Sequence, residues 1–252
     1  MTRLIVRPPS PHLADGELTH LDRVPVDAAL ARRQWEDYVA VFRERGWTVS
    51  EAATADEHPD GVFVEDGVVV FDRLAVITRP GAPSRRGELD TLVPVVTGLG
   101  LDTAVIEAPA TLDGGDVLTV GRTVYVGRSS RTNDAGVATL RELLAPRGWQ
   151  VVAVPVTRVL HLKSGVTALP DGTVVGHPPL VDDPTVFERF LPVPEPEGNA
   201  VVVLDEDTVL MSASAPRTAG LFRTRGLEVL TTPVSELEKL EGCVTCLSVR
   251  LR

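Results

Sequence analysis

The chain has 252 residues, 43% of them hydrophobic, and a formal net charge of −10. This acidic balance disfavours nucleic-acid binding, which requires excess Lys and Arg at the phosphate-binding surface, and no apolar run suits a membrane helix or a signal peptide. The two cysteines, Cys243 and Cys246, are too few for a disulfide scaffold and indicate a reduced compartment, so we expect a cytoplasmic protein with no membrane partner.

Strand and helix patterns follow one another along the chain in a regular order. Apolar residues at helical spacing predict helices, and β-rich runs on either side of tight turns predict hairpins. In chain order the predicted elements are a helix over 27–45, a strand at 47–50, a hairpin of 61–70 with 74–79, a strand at 104–106, a hairpin of 116–120 with 123–127, a helix over 132–147, a strand at 151–154, hairpins of 165–169 with 173–175 and of 200–204 with 208–211, a helix over 216–225 and a strand at 227–230.

This order contains a repeated unit. Hairpin, helix and strand return about every 40 to 50 residues, a period typical of propellers and other repeat proteins. A doubly wound sheet is the alternative, but it predicts single strands between helices where this chain has hairpins. We therefore predict an α/β propeller of repeated ββαβ units, in a single domain that spans residues 1–252.

Residues that can carry chemistry stand where predicted strands begin or end. They are Glu65 and Asp66, the segment 113–116, His161 and Cys246. Charged side chains are costly to bury unless they are paired or functional. Because the strand ends of a radial array converge on its axis, residues from all the repeats can assemble one site there.

Cys246 has two interpretations. It can be a small buried hydrophobe, or a nucleophile with His161 as its general acid and base, and His161 alone fits a satisfied core histidine equally well. We interpret Cys243 as a structural residue at a strand edge beside the candidate nucleophile. The C-x-x-C pair alone cannot supply the four ligands of a structural zinc site.

Two further patterns also have a structural and a functional interpretation. The segment 113–116, Asp-Gly-Gly-Asp, fits a plain turn, but two glycines between carboxylates also fit a close approach of the backbone to another group. Arg85 and Arg131 fit ordinary surface arginines or a bidentate clamp on a substrate carboxylate.

Taken together, these segments resemble the dimethylarginine dimethylaminohydrolases, a family of the pentein, or guanidine-modifying, superfamily. The resemblance runs from Asp60 to the C-terminal end, and it is specific because the motifs occur in family order. They lie at 59–60, 63–66, 77–86, 111–118, 131–133, 160–164, 235–239 and 245–246.

The resemblance implies a five-fold pseudosymmetric α/β propeller, the pentein fold. It also implies a hydrolase that converts Nω-methylated arginine to citrulline and dimethylamine or methylamine, through an S-alkylthiouronium on the nucleophile. The implied catalytic residues are Cys246 as nucleophile, His161 as general acid and base, and Asp113 as the carboxylate that orients His161.

The implied partner is a cationic amino acid, and neither a metal nor an organic cofactor is required. The implied binding residues are Asp60, Glu65 and Asp66 for the guanidinium and ammonium groups, Arg85 and Arg131 for the α-carboxylate, and Glu241 where other members have Asp. In the family a loop closes over the substrate, and we expect this lid within 11–22, with Leu13 or Leu18 in contact.

Rival activities on the same scaffold are an arginine or agmatine deiminase, an amidinotransferase and a non-catalytic methylarginine-binding protein. Arginine deiminases have His-x-Asp where this chain has His161-Leu162-Lys163, and they carry an added helical region for which this chain is too short. Both differences favour the methylarginine hydrolase. The sequence leaves the choice between a monomer and a homodimer open.

Overall fold

The structure, a computed structural model, describes residues 2–251. Within that range the strands form five three-stranded sheets, in the orders β15-β1-β2, β3-β4-β5, β6-β7-β8, β11-β10-β9 and β12-β13-β14. In chain order the strands are β1 (Arg3–Val6), β2 (Thr48–Glu51), β3 (Val68–Phe71), β4 (Leu74–Ile77), β5 (Asp102–Val105), β6 (Val117–Val120), β7 (Thr123–Arg128), β8 (Gln150–Pro155), β9 (Val166–Ala168), β10 (Val174–Gly176), β11 (Phe190–Pro192), β12 (Val201–Val203), β13 (Thr208–Ser212), β14 (Glu228–Thr232) and β15 (Val249–Leu251).

Every one of these sheets has the same pairing pattern. The central strand is antiparallel to one neighbour and parallel to the other. In the sheet β15-β1-β2, Leu4 faces Arg250 across the antiparallel pair and Val49 across the parallel pair. The last strand therefore completes the sheet that the first strand begins, and the predicted five-fold propeller of ββαβ units is confirmed.

Helices connect the central strand to its parallel neighbour in most units. The helices are α1 (Ala28–Glu44), α2 (Leu89–Thr97), α3 (Asp134–Leu144), the single turn α4 (Leu162–Gly165), α5 (Pro216–Thr224) and the single turn α6 (Ser235–Glu238). The connections are made by α1, α2, α3 and α5, whereas the unit of β9, β10 and β11 uses 3-10 turns at Pro178–Leu180 and Pro184–Val186.

The three helices predicted from the sequence are present in the structure. The predictions at 27–45, 132–147 and 216–225 are confirmed as α1, α3 and α5. N-cap side chains satisfy free main-chain N–H groups in two of them, Asp27 in α1 and Asn133 in α3. The sequence prediction omits α2, because a proline inside it is ordinarily a helix breaker.

The predicted strand at 61–70 is wrong in its first half. These residues form 3-10 helices at Pro59–Val62 and Val64–Gly67, and β3 begins only at Val68. The guanidinium of Arg85 donates to two main-chain carbonyls of this segment, which a strand would use in its own ladder. The other predicted hairpins are confirmed as β6–β7, β9–β10 and β12–β13.

The largest apolar cluster lies under α1 and holds the end of the chain in place. It contains Trp35, Tyr38 and Phe42 from the helix, together with Leu13 and Cys246. Burial of such aromatic side chains dominates core energetics, so the turn that carries Cys246 has a rigid support. Across residues 2–251 no helix is both long enough and apolar enough to cross a membrane.

Candidate active site

The fold brings His161 and Asp113 together. His161 lies just before α4, and Asp113 lies just before the 3-10 turn Gly114–Asp116. Nε2 of His161 lies 3.0 Å from Oδ2 of Asp113, and both side chains are buried. The other carboxylate oxygen of Asp113 accepts the main-chain N–H of Gly81 at 2.8 Å. Asp113 is thus held in place while it holds the imidazole, the arrangement that fixes a histidine in one tautomer.

Two glycines allow the backbone to pass very close to this pair. A Cβ at Gly115 would lie 2.7 Å from Nδ1 of His161, and a Cβ at Gly114 would lie 1.9 Å from the carbonyl oxygen of Glu65. The N–H of Gly115 also donates to Oδ1 of Asp66 at 2.9 Å. The interpretation of the 113–116 segment as a close backbone approach is confirmed, because any side chain at these positions would displace the site.

Asp116 is a buried carboxylate that the sequence analysis named within the segment 113–116 without giving it a role of its own. Its two oxygens accept hydrogen bonds from Ser129 Oγ at 2.6 Å, Thr132 Oγ1 at 2.7 Å and the N–H of Leu162 at 2.9 Å. Burial raises the pKa of Asp116 to about 6, against the lowering effect of His161 and of these hydroxyls. Because Leu162 follows His161 directly, Asp116 anchors the backbone that carries the imidazole.

The surrounding carboxylates favour the protonated form of His161. Burial alone would lower the pKa of His161, but three neighbouring groups together raise it to about 9. They are the charge of Asp66, whose Oδ1 lies 3.8 Å from Nδ1, the hydrogen bond to Asp113, and the charge of Asp116. Burial would raise the pKa of Asp66, yet His161 and Arg85 lower it to about 2. An imidazolium is therefore held beside a carboxylate at neutral pH.

His161 and Cys246 line one cavity of about 320 Å³. Cys246 lies in the turn before β15, so the closure of the first sheet brings it there. The lining residues are Glu17, Asp60, Phe63, Asp66, Arg85, Arg131, Leu160, His161, Leu240, Glu241, Gly242 and Cys246. Most residues predicted from the sequence are thus brought together here, and Asp113 lies behind His161.

Cys243 lies against Cys246 in the same turn. The two sulfur atoms are 3.3 Å apart, and both thiols are free. The contact with Cys243, burial and the negative charges of Glu65 and Asp66 raise the pKa of Cys246 well above its usual value. The expectation of a strand edge at Cys243 is wrong, because residues 241–248 form turns that precede β15. The C-x-x-C spacing was the sequence signal for this contact.

The two arginines expected to bind a carboxylate differ in how many of their guanidinium nitrogens already have hydrogen-bond acceptors. Arg85 donates to Asp66 at 2.6 Å and to both oxygens of Glu88, at 2.8 and 2.9 Å. Arg131 donates from Nη2 to Glu17 at 3.0 Å, and its buried Nη1 has no hydrogen-bond partner. A buried donor without a partner costs free energy, so Arg131 is the one of the two that lacks an acceptor.

A loop from the beginning of the chain covers the cavity within the predicted range 11–22. The main-chain N–H of Glu17 donates to Oδ2 of Asp60 at 3.0 Å. The carboxylate of Glu241 accepts the N–H groups of residues 19–21, with Thr19 at 2.9 Å and Leu21 at 3.1 Å. Glu241, expected to bind the substrate, therefore lines the cavity and also holds the loop.

The residue of this loop that enters the cavity is Glu17, whereas the sequence analysis named Leu13 and Leu18. Leu13 is fully buried in the cluster under α1, and Leu18 packs against that cluster. The carboxylate of Glu17 contacts Arg131 and the hydroxyl of Ser84. Apolar residues thus anchor the lid, and the charged side chain of Glu17 lines the cavity.

Glu65 differs from the expectation that it lines the guanidinium pocket. One oxygen of its carboxylate, Oε1, lies 2.7 Å from Lys163 Nζ and 2.7 Å from Arg250 Nη2. These three side chains line a different cavity, which also includes residues of β3, β6 and β12. Neutralisation by two cations explains why Glu65 can be buried. Its contribution to the site is the charge that it places near Cys246.

Three side chains of the described residues could in principle hold a metal ion. Ligand atoms of Asp66, Asp113 and His161 all lie within 4.8 Å of one another. Asp66 is engaged by Arg85 and Gly115, and Asp113 by His161 and a main-chain N–H. This arrangement satisfies the carboxylates as hydrogen-bond acceptors and keeps a cation, Arg85, inside the cluster. It suits an oriented imidazolium better than a metal.

Comparison with known proteins agrees with the motif resemblance, although no protein-family model matches the chain. A relative from Streptomyces coelicolor, named N(G),N(G)-dimethylarginine dimethylaminohydrolase, is 56% identical over 250 residues, or 99% of this chain and 97% of the relative. A cysteine-to-serine mutant of the Pseudomonas aeruginosa enzyme of that kind, solved with citrulline, superposes with a TM-score of 0.91 at 32% identity and covers 99% of this chain and 98% of that one. A histidine-to-glycine variant, solved as an adduct with S-methyl-L-thiocitrulline, has the same TM-score and identity over 100% of both chains.

Proposed function

Because the chain belongs to the dimethylarginine dimethylaminohydrolase family and hydrolyses methylated arginine to citrulline and dimethylamine, we propose that Cys246, His161 and Asp113 carry out this reaction. The observation that carries the assignment is the buried His161–Asp113 pair, 3.0 Å apart, beside the cavity that Cys246 also lines. This activity takes the place of the deiminase, amidinotransferase and binding-protein alternatives.

The proposed reaction begins with the thiol of Cys246. In the free enzyme its pKa is raised by the Cys243 contact, burial and neighbouring negative charge, so it is protonated. A substrate guanidinium brings a positive charge next to the sulfur and favours the thiolate, and the thiol proton passes to solvent. The sulfur then attacks the central guanidinium carbon and forms a covalent S-alkylthiouronium after the alkylamine leaves.

His161 moves the protons of both half-reactions. As an imidazolium, with a pKa raised to about 9 by the carboxylates around it, it donates a proton to the departing dimethylamine or methylamine. The neutral imidazole then removes a proton from a water molecule that attacks the same carbon. Collapse of the tetrahedral intermediate breaks the C–S bond, releases citrulline, and leaves the Cys246 sulfur to take up a proton again. Asp113 keeps the ring oriented through both steps, as the carboxylate of a catalytic triad does.

Substrate binding uses charges of opposite sign at the two ends of the cavity. Asp66, with a pKa held near 2, is a permanent anion beside the reacting carbon and suits the guanidinium. Asp60 lines the same cavity and suits a cationic group, the guanidinium or the ammonium. For the α-carboxylate, Arg131 offers its unpartnered Nη1, whereas Arg85 is engaged by Asp66 and Glu88 and balances their negative charge.

The remaining assignments concern the chain as a whole. We include 1–252 in one catalytic domain, since β15, which follows Cys246, pairs with β1. A cytoplasmic enzyme is consistent with two free thiols in contact, which an oxidising compartment would pair.

The test of the catalytic assignment is citrulline formation by Cys246→Ser from asymmetric dimethylarginine and monomethylarginine. We expect turnover to fall by orders of magnitude while the thermal unfolding midpoint stays near that of the wild type, since loss of a nucleophile removes the covalent route. Cys243→Ser is the matched control, because it makes the same change three residues away. Turnover of the wild-type order in Cys246→Ser, with loss in the control, would show that the wrong cysteine was assigned.

A further inference from the structure

Two cavities meet at the pair of cysteines. Cys246 lines the substrate cavity, whereas Cys243 lines a larger cavity of about 1000 Å³ that opens beside it. Gly242 and Glu241 line both. Cys243 is half-buried and Cys246 is buried, so a small reagent in the larger cavity reaches Cys243 without passing through the substrate site.

The turn that carries the two residues already has the geometry of a dithiol. The N–H of Cys246 donates to the carbonyl oxygen of Cys243 at 3.1 Å, which closes a four-residue turn. Such a turn keeps its end Cα atoms within about 7 Å, the range that a disulfide can bridge. The sulfur atoms, 3.3 Å apart, need only a small approach to bond.

We propose that Cys243 and Cys246 are a redox modification site, in which a peroxide oxidises the pair to a disulfide and thereby blocks the nucleophile reversibly. The thiolate of Cys243 attacks one oxygen of the peroxide and becomes a sulfenic acid, and the other oxygen leaves as hydroxide. The sulfur of Cys246 then attacks the sulfur of this sulfenic acid, forms the S–S bond and releases water, which carries the thiol proton. In total two thiols lose two hydrogen atoms and one peroxide is reduced to two waters.

The ionisation of the two groups supports this order of events. The hydrogen bond from Cys246 lowers the pKa of Cys243 to about 7, whereas the pKa of Cys246 is raised. A thiolate, and not a thiol, reacts with peroxide. The group with the lower pKa is also the one that faces the larger cavity, so geometry and charge select the same first target.

The consequence for activity rests on the proposed role of Cys246, whereas the disulfide itself does not. Purified full-length protein is treated with hydrogen peroxide, and its intact mass, free thiols and citrulline formation are followed before and after dithiothreitol. We expect the peroxide-treated wild type to be lighter by two hydrogen atoms, to have no free thiols and to be inactive. Dithiothreitol should restore its mass, both thiols and its activity. Peptide mapping should find the link between residues 243 and 246.

Cys243→Ser provides the discriminating variant. Without Cys243 the variant lacks the more reactive thiol and cannot form the disulfide, so peroxide should inactivate it more slowly, and dithiothreitol should not reverse the loss after the higher acids form. Equal recovery in Cys243→Ser and wild type, or an inactivated wild type that still has two free thiols, would overturn the proposal. A wild type that forms the disulfide yet keeps its activity would instead refute the nucleophile assignment and leave the redox site standing.

Discussion

The proposed catalytic residues of the substrate cavity and its proposed carboxylate-binding residues, its catalytic end and its binding end, differ in how many of their polar atoms already have partners. At the catalytic end, His161, Asp113 and Asp66 are buried and joined by short hydrogen bonds to one another or to main-chain N–H groups. At the other end, Arg131 has an unpartnered nitrogen and shares its remaining contact with Glu17, whose side chain is 42% exposed.

This difference in hydrogen bonding corresponds to the role proposed for each end, proton transfer at one and substrate binding at the other. Groups that transfer protons must be in place before the transition state, because reorganisation at that moment costs rate. Groups that hold a substrate must give up an existing partner and accept a new one, so a weak and partly solvated ion pair is useful there. Substitutions at the two ends should therefore affect different kinetic constants.

The largest effect is expected at the catalytic end, from Asp113→Asn. The amide has nearly the same shape but removes the negative charge that holds the His161 imidazolium, so kcat should fall on the order of 10²- to 10⁴-fold. KM should change much less, because Asp113 lies behind His161 and does not line the cavity. Steady-state kinetics on asymmetric dimethylarginine measures both, with circular dichroism to verify folding. A change confined to KM would remove Asp113 from the catalytic group.

The same variant should move the pH profile in a defined direction. In the wild type the protonated form of His161 is lost as pH rises through about 9, and activity that needs this proton should fall there. Asp113→Asn removes one of the groups that raise this pKa, so the alkaline limb of kcat should shift to lower pH. Asp66, the largest raising influence, stays in place, so the shift should be partial. A limb that moves to higher pH would contradict this assignment.

At the binding end, Arg131→Lys should act mainly on KM. Lysine keeps the positive charge but loses the planar fork that binds a carboxylate through two N–H groups. Loss of a charged hydrogen bond costs about 1.5–3 kcal/mol, so KM should rise about 10- to 100-fold with kcat changed far less. Arg128→Lys is a matched control, since Arg128 pairs with Asp134 at the surface. Equal effects of the two substitutions on KM would show that Arg131 has no special role.

The residues of the proposed catalytic end were easier to find from the sequence than the contacts of the proposed binding end. Cys246, His161 and Asp113 lie in short motifs whose residue types follow from the chemistry, and the hairpins and most helices that carry them have clear periodicity. The partners of these residues could not be read in the same way. Glu65 was expected in the pocket, but its position depends on Lys163 and Arg250, which lie about 100 and 185 residues further along the chain.

Long-range electrostatics also explains the other differences. The apolar residues of the 61–67 segment predict a strand. Two guanidinium groups distant in the sequence, those of Arg7 and Arg85, take main-chain carbonyls of residues 60–63 out of a ladder. Glu17 lies in a loop without periodicity, so its contact with Arg131 had no sequence signal beyond a charge inside the expected lid. Positions fixed by local pattern were predictable, and positions fixed by a distant charge were not.

The smallest expected effect, from Glu17→Gln, is the sharpest test of the contrast between the two ends. Glu17 holds Nη2 of Arg131, and a substrate α-carboxylate that binds both Nη groups must displace it, so the lid competes with the substrate until it releases the arginine. Glutamine keeps the length of the side chain and the main-chain N–H to Asp60, but it lacks the charge. Exposed ion pairs contribute up to about 1 kcal/mol, so KM for asymmetric dimethylarginine should fall about two- to five-fold.

A substrate without a carboxylate separates this competition from a general loosening of the lid. If Glu17 acts by occupying the seat of the α-carboxylate, KM for a methylated agmatine, which has no carboxylate to place there, should not share the decrease. A decrease for both substrates would mean that the variant merely frees the lid. An increase in KM for asymmetric dimethylarginine would mean that Glu17 binds the substrate ammonium, and the binding end would then be as fully prepared as the catalytic one.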